Sequence, residues 1–316
     1  MVSKKVRDKL EKQHYSVVGK HSAVQICGWT KNSLRDEGSC YKQKFYGIES
    51  HKCCQMSPNI FCPNRCLHCW RPMGIMEKTE PEKIDNPKEI IEGAIKAQRK
   101  LISGFKGSEK TNLKKFEEAQ EPNQFAISLI GEPTGYPKIG NLIKELRKEE
   151  KSSFLVTNGL YPQKLKELKN KGQLPTQLYI SLNSPNKKRY LKWHNSQVDG
   201  AWERFNQSLE IMSNLDTRTV IRITLVRDRN MVKPGQYAEL IKKAGPDFIE
   251  VKSFMSVGFS RKRLGYDRMP SHKETKEFGK EILNYLPDYE FLDEHLRSRV
   301  VLLGNGREMK IKDSEI

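Results

Sequence analysis

Ile60-Phe61-Cys62-Pro63-Asn64-Arg65-Cys66-Leu67-His68-Cys69-Trp70 sets three cysteines within eight residues, directly after a short apolar run at 57–61 that reads as a strand. Thiolates are soft ligands that select zinc, copper(I) or iron-sulfur clusters. A closed zinc site wants a fourth protein ligand and favours paired C-x2-C knuckles. The chain offers no second knuckle, although His68 would serve as a fourth ligand. Three thiolates leave one iron of a 4Fe-4S cubane open, and an open iron can chelate the amino and carboxylate groups of a methionine moiety.

Outward from this loop the chain repeats one unit. Short β-branched runs at 57–61, 125–130, 154–157, 178–182, 220–226 and 248–252 alternate with helical patterns, six strand-helix units in all. Prolines 87, 137, 162 and 234 stand where helices would begin, each followed by an apolar stripe read as a core face. The expected fold is α/β, a (β/α)6 partial TIM barrel spanning 57–260. Residues 1–56 hold four of the seven cysteines, Cys27, Cys40, Cys53 and Cys54, with few strand signals, and read as an N-terminal extension folded over the barrel mouth. Residues 261–316 read as a basic loop followed by a final helix near 273–286, and 106–123 as a charged excursion.

The 316 residues include 57 Lys and Arg against 39 Asp and Glu, a net charge of +18 that would draw the chain to RNA or DNA by long-range attraction. No apolar run approaches the roughly 20 residues of a spanning helix, and residues 1–21 have no signal-type apolar core. No membrane contact is expected, and a cytoplasmic location is. Cysteines in that reducing compartment point to metal or redox chemistry rather than disulfides.

The C-x3-C-x2-C spacing after a first barrel strand resembles the radical S-adenosylmethionine superfamily. Gly131-Glu132-Pro133-Thr134, one unit later, is similar to that superfamily's Gly-Glu-Pro motif. The resemblance implies a 4Fe-4S cluster on Cys62, Cys66 and Cys69, and S-adenosylmethionine held by Gly131, Glu132 and Pro133. Glycine there would let backbone approach the cofactor, and Glu132 would accept from its ammonium. Strand ends at Thr157-Asn158 and Ser181-Leu182-Asn183 would supply further hydrogen bonds to the methionyl and ribose parts, because active residues of such barrels gather at the C-terminal edge of the strands. Turn chemistry at Asn158-Gly159 and Asn183-Ser184 is the plain alternative. Asn183 stands where the superfamily commonly has Asp.

The segments around Cys27, Cys40 and Cys53, with Gly38-Ser39-Cys40-Tyr41-Lys42-Gln43-Lys44-Phe45-Tyr46-Gly47 between, resemble the N-terminal region of the archaeal tRNA 4-demethylwyosine synthases. The likeness extends through Leu178-Tyr179-Ile180-Ser181-Leu182 and Glu250-Val251-Lys252-Ser253-Phe254-Met255. It implies a second 4Fe-4S cluster on Cys27, Cys40 and Cys53, with Cys54 competing for the last place. It also implies a Schiff base between Lys42 and pyruvate, and a carbon-carbon bond-forming lyase. That enzyme joins pyruvate to N1-methylguanosine beside the anticodon of tRNA-Phe, with electrons from an external one-electron donor and a monomer as the working state.

Lys187, Lys188, Arg189 and Lys192 interleave with Tyr190 and Trp193 just past the fourth strand, and Arg261, Lys262 and Arg263 follow the sixth. Both would rim the barrel mouth, neutralising phosphates while Tyr190 or Trp193 stacks on an unpaired base; a core anchor is the competing role for Trp193. Two rivals share part of this pattern: a radical activase acting on a protein, and a non-catalytic RNA-binding module carrying zinc or a cluster.

Overall fold

The structure, a computed structural model, describes residues 2–73 and 81–316. In chain order its strands are β1 (Tyr15–Val18), β2 (Ser22–Gln25), β3 (Cys53–Ser57), β4 (Gln124–Ile127), β5 (Ser152–Thr157), β6 (Gln177–Ser181), β7 (Arg218–Leu225), β8 (Phe248–Ser253), β9 (Glu290–His295) and β10 (Val300–Gly304). The helices before the second barrel strand are α1 (Lys4–Glu11), α2 (Gly28–Ser33), α3 (Tyr41–Tyr46), α4 (Pro87–Ile102) and α5 (Leu113–Glu118). Then come α6 (Ile139–Lys148), α7 (Pro162–Asn170), α8 (Lys187–His194), α9 (Ala201–Met212), α10 (Pro234–Ala244), α11 (Arg261–Leu264) and α12 (His272–Leu283).

All ten strands among the described residues form one open sheet in the order β1-β2-β3-β4-β5-β6-β7-β8-β10-β9. The run from β3 to β8 is parallel throughout, giving the six-stranded partial barrel, and antiparallel pairs extend it at both edges. Alternate residues on each strand face opposite ways. Leu155, Leu178, Ile180, Ile221 and Ile249 pack under the outer helices. Their neighbours Phe154, Tyr179, Val220 and Phe248 point to the concave face, where Tyr41, Phe45 and Tyr46 of α3 fill the space. The short helix between the second and third N-terminal cysteines is thus a plug inside the barrel.

Several boundaries depart from the sequence reading. The first barrel strand is Cys53–Ser57 rather than 57–61, so a division at 56/57 cuts through it. Pro58 has no N–H to give the ladder and ends the strand; Ile60 and Phe61 are buried from the loop beyond, against Leu10, Tyr15 and Leu129. β1, β2, β9 and β10 lie in segments read as strand-poor extension and tail. The excursion at 106–123 carries α5, whose Phe116 packs on Ile26, Leu34 and Ile102. Pro87 does open α4, behind an Asn86 cap and a capping box closed by Glu89.

Candidate active site

The loop after β3 is fixed from both sides. Ile130 N donates to Ser57 Oγ at 2.8 Å, Asn59 Nδ2 to Glu132 O at 3.0 Å, and Glu132 N to Phe61 O at 2.8 Å. Gly131 adopts φ +77°, and a Cβ there would lie 2.2 Å from Asn59 O and 2.5 Å from Ile60 C. The glycine is therefore required by the close approach of the 59–60 backbone.

This clamp delivers Cys62, Cys66 and Cys69 to one open cleft at the C-terminal edge of the barrel strands. Gly131, Glu132, Thr157, Asn158, Ser181 and Asn183 line the same cleft, with Arg222 and Lys252, which sequence reasoning missed. Pro133 is buried at the head of a short 3-10 turn (Pro133–Gly135) and shapes the strand end. Glu132 already accepts from Thr134 N at 3.0 Å, Thr134 Oγ1 at 2.5 Å, Thr157 Oγ1 at 2.6 Å and Asn158 N at 2.7 Å. Burial nevertheless pushes its carboxyl up from the ordinary value. Thr157 is thus spent on Glu132. Asn158 Nδ2 lies 3.7 Å from Cys62 Sγ, and Asn183 Oδ1 accepts from Thr224 N at 2.9 Å.

The donor set fits an iron-sulfur cubane. Burial pushes the Cys62 thiol up to about 12 and Cys66 well above the usual range. Such thiols are poor nucleophiles and lose their protons to a metal instead. His68 cannot close a zinc site as placed: its Nδ1 accepts from Trp193 Nε1 at 2.8 Å and its Nε2 faces Asn183 Nδ2 at 3.4 Å. Three sulfurs without that fourth ligand match a cluster with an open iron.

A second thiol set gathers behind the cleft floor. Cys27 and Cys40 directly precede α2 and α3, and Ser50 ties the segments together, its hydroxyl accepting from Cys40 N at 2.9 Å and its carbonyl from Thr30 Oγ1 at 3.0 Å. Burial pushes Cys40 up to about 11 and Cys53 to about 12, each raised further by charge on the other thiols of the set. Strand alternation separates Cys53 from Cys54: Cys54 is fully buried in the core with Val24 and Phe125, whereas Cys53 packs beside Cys40 and the α3 plug.

Lys42 belongs to this second set. It is 8% exposed, and its Nζ sits 4.7 Å from the ring centres of both Phe154 and Tyr179. Burial pulls its amine down to about 8, as it does for Lys252. Between them Glu250 accepts from Arg222 Nε at 2.8 Å, Tyr46 OH at 2.9 Å and Tyr41 OH at 3.0 Å. Burial opposes the charge on Glu250, but Arg222 and Lys42 outweigh it and hold the carboxyl below its ordinary value.

The basic segments divide. Lys187, Lys188, Arg189 and Lys192 form the exposed face of α8, and Arg261, Lys262 and Arg263 are exposed on α11. Lys187 pairs with Glu203 at 2.6 Å, and Arg263 Nε donates to Leu67 O at 3.0 Å, bracing the cysteine loop. Trp193 needs correction: it is 5% exposed, packed on Val226, Phe254 and Leu264 with its indole N–H bonded to His68, so it is a core anchor and presents no ring to a base. Tyr190, at 1% exposure, is buried as well.

Residues 56–241 match the model of the radical SAM superfamily and residues 243–305 that of wyosine base formation. An S-adenosyl-L-methionine-dependent tRNA 4-demethylwyosine synthase of Pyrococcus abyssi is 48% identical over 94% of this chain and 88% of its own length. The human counterpart is 37% identical over 98% of this chain, which spans 42% of that longer protein. Among solved structures, TYW1 with a lysine-pyruvate adduct bound superposes with a TM-score of 0.88 at 35% identity over 99% of both chains, and an archaeal TYW1 with 0.80 at 32% over 98% of this chain and 100% of that one. The parallel barrel, the three-thiol loop and these likenesses converge: the chain belongs to the S-adenosyl-L-methionine-dependent tRNA 4-demethylwyosine synthases, radical SAM enzymes that act on tRNA.

Proposed function

We propose that this tRNA 4-demethylwyosine synthase condenses pyruvate with N1-methylguanosine beside the anticodon of tRNA-Phe, using two 4Fe-4S clusters. Cys62, Cys66 and Cys69 hold the first cluster and Cys27, Cys40 and Cys53 the second, the N-terminal 56 residues serving the second and the barrel the first. When bound, the first cluster and S-adenosylmethionine supply a one-electron cleavage that yields a hydrogen-abstracting radical. Gly131, Glu132 and Pro133 shape the cofactor's seat, Thr157 and Asn158 hold Glu132, and Ser181 and Asn183 complete the wall. An external one-electron donor is required, and the chain works as a monomer in the cytoplasm.

The observation that carries the carbon-donor reading is Lys42. A Schiff base needs a neutral amine, which attacks the C2 carbonyl of pyruvate and expels water as the C=N bond forms. The Lys42 amine is buried between two aromatic rings beside Cys40 and Cys53, and a neighbouring fold carries a lysine-pyruvate adduct. The exposed cations of α8 and α11 line the approach for tRNA phosphates. A protein-directed activase needs no second thiol set, and a zinc module needs the fourth ligand that His68 does not provide.

The test is anaerobic reconstitution followed by borohydride reduction with pyruvate. About eight irons per chain are expected for two cubanes, with the carboxyethyl mass increment of the reduced imine on the peptide containing Lys42. Four irons in the wild type, or an adduct that persists in Lys42→Arg, overturns the proposal.

A further inference from the structure

We propose that His194 is a positioning residue of the radical-generating cluster: its Nδ1–H donates to the Cys66 sulfur and raises the potential at which that cluster takes up an electron. The inference rests on Cys62, Cys66 and Cys69 being the ligands of the first cluster.

His194 is the last residue of α8 and is 1% exposed. Its Nδ1 lies 3.2 Å from Cys66 Sγ. A cysteine bound to iron has no proton, so its sulfur only accepts, and the hydrogen must sit on Nδ1. Nε2 then carries the lone pair, and it is buried without a partner. Tyr190 covers one face of the ring, with centroids 4.3 Å apart.

The contact is built into the backbone. Arg65 N donates to His194 O at 2.8 Å and Leu67 N to Trp193 O at 3.1 Å, so two main-chain bonds bracket Cys66 and fix it in register with the helix end. Gln197 N to Pro63 O at 2.9 Å adds a third tie. One-electron reduction places extra negative charge on the cluster and its sulfurs. An N–H dipole aimed at a ligating sulfur stabilises that charge more than the oxidised state's, and so raises the potential.

The experiment is an anaerobic potentiometric titration of the reconstituted holoenzyme, following the reduced-cluster resonance that shifts on addition of S-adenosylmethionine. His194→Phe keeps the ring volume and removes the donor; its midpoint is expected to fall below the wild-type value at undiminished iron content. His194→Asn, whose amide nitrogen occupies roughly the Nδ1 position, is expected to return toward wild type. An unchanged midpoint in iron-replete His194→Phe overturns the proposal. Should that variant lose its cluster, the wild type labelled with 15N at histidine Nδ1 decides by pulsed resonance: a coupled nitrogen that vanishes in His194→Asn supports the bond, and no coupling overturns it. A wild type lacking any resonance responsive to S-adenosylmethionine overturns the ligand assignment itself, a result distinct from either.

Discussion

Replacing Gly131 by alanine tests whether the end of β4 and the cysteine loop act as one clamp. The added Cβ would stand 2.2 Å from Asn59 O, 2.5 Å from Ile60 C and 2.7 Å from Ile60 O, all backbone atoms. Non-bonded carbon contacts settle near ~3.5 Å, so the loop must withdraw by roughly 1 Å. Left-handed φ costs an alanine about 1–2 kcal/mol, and forced overpacking about 1–3 kcal/mol more, together about 2–5 kcal/mol. Gly159→Ala is the matched control: its φ is also +77°, but the nearest atom is Phe205 Cδ2 at 3.1 Å, the end of a side chain, so only the dihedral cost of about 1–2 kcal/mol applies. With an unfolding entropy near ~2.1 cal/mol/K per residue, a 316-residue chain loses about 1.5 °C of Tm per kcal/mol. Gly131→Ala should melt about 3–8 °C below wild type and Gly159→Ala about 1.5–3 °C below. The withdrawal drags Phe61, whose carbonyl takes the Glu132 N–H, and with it Cys62, so reconstituted iron should fall in Gly131→Ala alone. Equal melting and equal iron in the two variants would refute the clamp.

Three other outcomes follow from side-chain placement. Cys53→Ala should cost the proposed second cluster, about four irons per chain for one cubane, whereas Cys54→Ala should keep full iron and lose about 1 kcal/mol of stability by denaturant titration, as deletion of a small buried group does. Changing Lys187, Lys188 and Arg189 together to Ala should flatten the salt dependence of tRNA binding by roughly 2 in log-log slope, at about 0.7–0.9 per phosphate released, and an unchanged slope moves the footprint elsewhere. Trp193→Ala should destabilise by about 3–5 kcal/mol in thermal melts, because it removes a core anchor, and should leave that salt slope intact.

How far the residues alone reached depended on which interactions were local. The cysteine spacing and the strand-helix alternation are short-range patterns, and they carried the barrel and its C-terminal edge. Pro58 also marks a strand end legibly, yet the apolar Ile60 and Phe61 beyond it mimic a strand, since burial from a loop and burial from a strand leave the same hydrophobic run. β9 reads Glu290-Phe291-Leu292-Asp293-Glu294-His295, an edge strand with acidic residues that hides its pairing to β10. Trp193 follows a basic run and its neighbours left an RNA platform and a core anchor both open; the helical phase of α8, which turns Tyr190, Trp193 and His194 inward together, decides for the core. Arg222 gave no local signal because its partner, Glu250, lies on the neighbouring strand.

That last pair explains why the two thiol sets occupy fixed places in one molecule. Glu250 is fully buried, and an isolated carboxylate there would be several kcal/mol unfavourable. It is kept charged by Arg222 from β7 and by the hydroxyls of Tyr41 and Tyr46, both on α3. The hydroxyls come from the helix that directly follows Cys40 and carries Lys42, so the same three side chains that satisfy the carboxylate also lock the α3 plug against the barrel floor. Apolar packing of Phe45 would accept a small rotation of α3; hydrogen bonds to both carboxylate oxygens at 2.8–3.0 Å would not. Glu250→Gln retains volume but leaves Arg222 without a counter-charge and asks an amide nitrogen to accept a phenol proton. The loss should therefore appear at the second thiol set, as weakened iron retention there with the Cys62, Cys66 and Cys69 site still loaded. Parallel loss at both sites would mean that the two sets share a single cooperative unit rather than being joined through this carboxylate.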